Sequence, residues 1–245
     1  MDNDLDIHYE IRLDFTKRFS EYLVALRKSG SQLFSKQLID GCDSAPEFIE
    51  YLLLCISLVT ERNHNKDLYW NFWKELAEKV QAIAIEAAQH GSRYRDDSNS
   101  RKLIRGMLKA EVPWQPVDYE NEDKDIALGK SLILEFVDNA GTNVDVFEAL
   151  SSLMYHFPRT FFQPGIHILA KHQSEVGGTT LLSGVNTGFY LEGSIQRFLQ
   201  VDETGPLPKK MHQSCFTLLD ALVETASSRA YYLREQLIRS RRILR

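Results

Sequence analysis

The chain is poor in the residues that break helices. Its 245 residues include only 13 glycines and 7 prolines, fewer than a β-rich or disordered chain usually needs. It has only three cysteines, Cys42, Cys55 and Cys215, odd in number and widely spaced. That excludes a disulfide scaffold and reads as reduced core thiols of an intracellular protein. There is no long apolar run. The most apolar stretch, residues 51–59 around Ser57, is too short to span a bilayer. Asp2, Asp4 and Asp6 stand where a secretory signal would be basic, so a cytoplasmic location is expected. Basic residues are not in excess: the net charge of −5 gives no reason to expect general polyanion binding.

Catalytic signatures are also missing. Gly129-Lys130-Ser131 has the ending of a phosphate-binding loop, but Lys124 occupies the position of its first glycine. No strand precedes it, so a helix-surface lysine is the expected reading. Gly177-Gly178-Thr179-Thr180 lacks dinucleotide-fingerprint spacing, and residues 173–180 read as a loop. No serine lies in a Gly-x-Ser-x-Gly elbow. His212 and Cys215 could share a helix face, but two ligands do not make a zinc site. His167 and His172 are poorly spaced for joint ligation from one helix. Neither a metal nor a cofactor is expected, and no catalytic residue is assigned.

What is present is helical periodicity. Tyr69, Phe72, Trp73, Leu76, Val80, Ile83, Ala84 and Ala87 form one stripe, predicting a helix from about Asp67 to His90 with Trp73, Leu76 and Ile83 buried together. Ser44, Pro46 and Glu47 predict the start of another apolar helix reaching about Thr60. Leu103, Ile104, Met107 and Leu108 mark a short basic helix with Arg101, Lys102, Arg105 and Lys109. One segment differs: Leu5, Ile7, Tyr9, Ile11 and Leu13 alternate with polar residues, the period of a strand. Residues 5–13 therefore stay open between strand and helix, with a helix expected over 15–28.

Val112-Pro113-Trp114-Gln115-Pro116 cannot continue a helix. It is the expected boundary between an N-terminal helical unit, residues 1–112, and a C-terminal helical-hairpin unit, residues 117–245, packed as two domains or one. The acidic run of residues 118–125 precedes a helix expected over 126–137, where acids suit the helix dipole. A further helix should start at Asn186 or Thr187, with Leu191, Ile195, Phe198 and Leu199 on its face.

Two segments of the second unit share one shape. Aligned without gaps, residues 147–169 and 216–238 match at Phe147/Phe216, Leu150/Leu219 and Leu153/Leu222, with similar residues at Met154/Val223, Phe162/Tyr231, Ile168/Leu237 and Leu169/Ile238. Pro158 breaks the first segment and Ser227-Ser228 the second. The pattern resembles the stacked helical hairpins of HEAT- and armadillo-like repeats. The expected fold is all-α: an irregular helical bundle or a short α-solenoid of stacked hairpins, with one N-terminal strand as the exception. The resemblance implies long faces suited to protein ligands and carries no functional residues.

Two basic groups are candidate contacts for a partner or for phosphate. Residues 229–245 hold Arg229, Arg234, Arg239, Arg241, Arg242 and Arg245 against Glu235 alone, a local charge of +5. Arg101, Lys102 and Arg105 form the other. The leading expectation is a non-enzymatic protein-interaction subunit, adaptor or scaffold of a larger intracellular assembly. The alternatives are an accessory subunit of a nucleic-acid-handling complex and an enzyme whose site is assembled from distant residues. No membrane contact is expected, and the oligomeric state is not written in the sequence.

Overall fold

A computed structural model describes residues 66–90, 98–109, 124–200 and 209–243. The expectations for residues 5–13, 15–28 and 44–60, for the Val112–Pro116 break and for most of the acidic run lie outside the described residues. Those described form eight α-helices: α1 (Lys66–His90), α2 (Ser98–Lys109), α3 (Lys124–Ala140), α4 (Val144–His156), α5 (Pro158–Val176), α6 (Thr187–Gln200), α7 (Lys209–Glu224) and α8 (Ser228–Ile243). A 3-10 turn, Thr180–Ser183, precedes α6. The described residues contain no strand, and the fold is all-α. No described helix is long and apolar enough to cross a membrane. The chain divides into two compact units, Met1–Ile83 with Arg95–Gly129, and Ala84–Tyr94 with Lys130–Arg245.

In the first unit, Trp70, Trp73, Leu76, Ala77 and Val80 of α1 are buried, as are Leu103, Ile104, Met107 and Leu108 of α2. The two tryptophans meet edge to face, with ring centroids 6.0 Å apart. Trp73 donates its indole N–H to the Met107 carbonyl at 3.4 Å, giving the ring's polar atom a partner inside the core. Gly129 makes room for Trp70: a Cβ there would lie 1.9 Å from Cζ2 of the indole. Ile83, expected beside Trp73 and Leu76, is only half-buried. It sits at the edge of the stripe, whose centre runs through Trp73, Ala77, Val80 and Ala84.

The second unit is built on the end of α1 from Ala84, on α3 from Lys130, and on α4 to α8. Asn143 is the polar anchor at the start of α4 and is almost fully buried. Its Oδ1 accepts from the backbone N–H groups of Asp145 and Val146, at 2.9 and 3.3 Å, and its Nδ2 donates to the Ala84 carbonyl at 3.1 Å. Two helix-end donors are thereby satisfied. The chain leaves α4 through Phe157 and re-enters a helix at Pro158, whose missing N–H costs nothing at a helix start. Against expectation, residues 173–176 are helical and not loop; α5 ends only at Gly177 (φ 68°), whose N–H reaches the Gln173 carbonyl.

Helix α4 packs on α5 and on α6, α5 on α7, α7 on α8, and α6 on both α7 and α8. Gly165 lets α5 approach α4, since a Cβ there would stand 2.8 Å from the Met154 sulfur. Phe162 and Phe198 stack at 4.5 Å. Phe147, Leu150, Met154, Phe161, Ile166, Leu169, Leu191, Ile195, Leu218, Leu219, Leu222, Leu233 and Leu237 fill the core. The sequence match between the two hairpins therefore marks core positions at Leu150/Leu219 and Leu153/Leu222. It parts at Phe162/Tyr231: Phe162 is buried against Phe198, whereas Tyr231 is exposed.

The turn from α7 to α8 is held by its backbone. Ala226 has φ 63° and is the described non-glycine residue with a positive φ. The Ser227 N–H reaches the Leu222 carbonyl and the Ala226 N–H the Val223 carbonyl, the double closure of a Schellman end. Ser227 then accepts from the Ala230 N–H at the start of α8, while its hydroxyl bonds the buried Glu192 of α6.

Candidate interaction surface

The chemistry-bearing side chains of the second unit are tied into the fold. Ser214 and His167 lie 2.8 Å apart, Oγ to Nδ1, across the α5–α7 contact. Ser214 Oγ also lies 3.2 Å from the carbonyl of Lys210, one helical turn before it, so the hydroxyl has a neighbour on either side. Buried His172 bonds Glu175, its neighbour one helical turn on, at 2.9 Å. Cys215 is buried, and burial pushes its thiol up to about 12, so it stays protonated and unreactive. His212 shares the helix with it, but among the described residues no three His, Cys, Asp or Glu side chains converge on one point. Gly129, Lys130 and Ser131 lie within α3, not in a phosphate-binding loop.

The arginines of α8 are only partly outward. Arg234 donates from Nε to Asp220 of α7, and this hydrogen bond is the main reason its guanidinium is held above its ordinary range. Arg229 donates to Gln196 of α6. Arg239 is exposed, and Tyr231 and Tyr232, two turns earlier on the same helix, expose more than half their surface. Arg241 and Arg242 continue the helix, but their side chains, like Arg245, lie outside the described residues. In α2, Arg101 and Arg105 are half-buried and engaged within the protein, while the Lys102 side chain is outside the described set. The two basic groups belong to different compact units.

The most developed surface feature is one that the spacing of residues did not single out. At the end of α4 and the start of α6, Tyr155, His156, Phe189 and Tyr190 form a cluster of rings. Tyr155 lies 5.1 Å from His156, 5.2 Å from Phe189 and 5.6 Å from Tyr190, centroid to centroid. His156 and Phe189 each meet Tyr190 as well, at 5.9 and 5.7 Å. Phe189 is 53% exposed, and Val185, one turn before it, is 81% exposed. His156 is exposed, and Tyr155 and Tyr190 are half-buried.

Two features hold this patch in place. Gly193 leaves the space in which the Tyr155 ring lies, because a Cβ there would come within 2.5 Å of its Cε2. Arg197 stacks over the same ring, with its guanidinium carbon 4.2 Å from the centroid, and donates from Nη1 to the Tyr155 carbonyl at 2.8 Å. Cation–π attraction and a charge-assisted hydrogen bond thus act on one residue. Apolar rings left in solvent normally cost solubility, and a rimmed cluster of them marks an interaction surface more often than a scattered one does. The signals in the sequence were Tyr155-His156-Phe157 and Gly188-Phe189-Tyr190. They lie more than thirty residues apart, and only the α4–α6 contact unites them. Comparison of the chain with protein-family models, curated proteins and solved structures finds no match.

Proposed function

We propose that this protein is a non-enzymatic interaction subunit, an adaptor or scaffold within a larger intracellular assembly. The observation that carries the reading is the partly exposed, pre-organised aromatic patch of Tyr155, His156, Phe189 and Tyr190, clamped by Arg197. Tyrosine and arginine dominate the energetics of protein interfaces, and a rigid ring loses little entropy when a partner covers it. The packing of α4 on α6 and of α5 on α7 agrees with a short stack of helical hairpins, in which successive helices offer a continuous outer face.

A photo-crosslinking side chain at position 189, introduced in the native host, tests the reading directly. It should give a discrete protein adduct, and Phe189→Ser should release the partner without changing thermal stability. The absence of any adduct, together with unchanged complex size in the Phe189→Ser variant, would remove the patch as an interface.

A second reading, phosphate contact by an accessory subunit of a nucleic-acid-handling complex, draws on the exposed Arg239 of α8 and on Arg241, Arg242 and Arg245 in the sequence. Such binding would weaken steeply with salt. Reversing Arg239, Arg241 and Arg242 to glutamate should abolish it; binding untouched by that reversal would exclude the α8 face.

A further inference from the structure

We infer that the aromatic patch docks an acidic segment of a partner protein, with apolar side chains set between its carboxylates. The inference rests on the protein-interaction reading and adds the partner's chemistry to it. Charge is its basis. Acidic residues outnumber lysine and arginine in the chain, 34 to 29, yet residues 149–201 contain only Glu175 and Glu192. Both are occupied: Glu175 bonds His172, and the buried Glu192 bonds Ser227. The same stretch supplies the exposed Arg197 over Tyr155. Glu148 of α4, at the edge of that stretch, is buried and accepts from the Asn186 N–H, so it is turned inward. A carboxylate approaching the exposed rings meets one guanidinium fixed in place.

Arg197 is suited to that approach. Nη1 is committed to the Tyr155 carbonyl, and a guanidinium has five N–H donors, so others remain to grip a carboxylate. Its stacking on Tyr155 removes part of the rotamer entropy that a free arginine would lose on binding. Phe189, set against the same Tyr155 ring, offers the apolar surface for the partner's aliphatic or aromatic anchors.

Two other occupants fit less well. A nucleic-acid strand uses open ring faces on which bases stack, along a track of cations. Here the rings tilt against one another at 48° to 89°, and Arg197 covers a face of Tyr155. A second copy placing the same patch against itself would bring Arg197 towards Arg197.

The test is selection of binders from a random displayed-peptide library on the full chain, followed by titration of synthetic winners. The expected winners are rich in Asp and Glu around Leu, Phe or Tyr. Their affinity should fall at least about tenfold with Arg197→Glu, should fall comparably with Phe189→Ser, and should weaken as salt rises. Circular dichroism of each variant must match the parent, and Arg197→Lys should restore part of the affinity. Winners that need Phe189 but are neutral or basic would overturn the acidic-partner inference and leave the docking surface standing. Winners indifferent to Phe189 and Arg197 would overturn both. Tight binding of an oligothymidylate probe that is lost in Phe189→Ser, or a dimer in light scattering that the same variant dissolves, would also overturn the inference by naming a different occupant.

Discussion

Ala226 occupies a position where glycine is the usual residue. It is the C′ residue of the Schellman end of α7, with φ 63°, and its side chain is exposed. The left-handed conformation costs a residue with a Cβ about 1–2 kcal/mol. Replacing Ala226 by Gly removes that cost but widens the unfolded ensemble, a loss of about 0.4–1 kcal/mol. No packing is forfeited, because the methyl group faces solvent. The balance predicts a gain of about 0.5–1 kcal/mol, or roughly 1–4 °C in Tm for a chain of this size. Ala226→Val should move the other way, by about 1–2 kcal/mol, since a β-branched residue tolerates this conformation worst. Urea unfolding of the three proteins, read at a common m-value, measures both steps. A glycine variant less stable than the parent would refute the reasoning, because it would mean that the turn is not left-handed or that the methyl group has a partner.

Asn143→Ala should cost about 2 kcal/mol, because it removes the α4 cap and leaves the Ala84 carbonyl without its donor; equilibrium unfolding measures it. Leu76→Ala, at a site with no exposed surface, should cost about 2–5 kcal/mol in the same assay. Gly193→Ala should displace the Tyr155 ring from beneath Arg197, visible in near-ultraviolet circular dichroism. Global stability should change by only about 1 kcal/mol, as the gain in helix propensity offsets the crowding. The folded thiol of Cys215 ionises only at about 12, whereas an unfolded one ionises near 8.5, so stability from this group is complete at neutral pH and is lost as pH rises between those values. Cys215→Ala should flatten that part of the alkaline unfolding profile relative to the parent.

Much of the helical layout was legible in the sequence because a single face of each helix is buried. Lys66–His90, Lys124–Ala140 and Thr187–Gln200 begin and end close to where their stripes do. The end of α5 was misplaced because Gln173 and Ser174 read as loop residues, although Gln173 bonds the Gly178 carbonyl and Ser174 bonds the Ala170 carbonyl, both in support of the helix end. Arg234 looked like a free cation because its partner, Asp220, lies on the preceding helix and is brought near only by the α7–α8 contact. The ring cluster was hidden for the same reason. Each of its halves has ordinary local spacing, and its identity as a surface arises from packing between α4 and α6.

The grip of Arg197 on Tyr155 has a consequence for the timing of local motion. One guanidinium holds both the ring and a carbonyl in the last turn of α4, so loosening of that turn and reorientation of the rings are coupled. Amide protons that report on this turn should then exchange in step with the reorientation of the ring. Occupancy of the patch would slow that exchange from the far side of the ring, without contact with the backbone it protects.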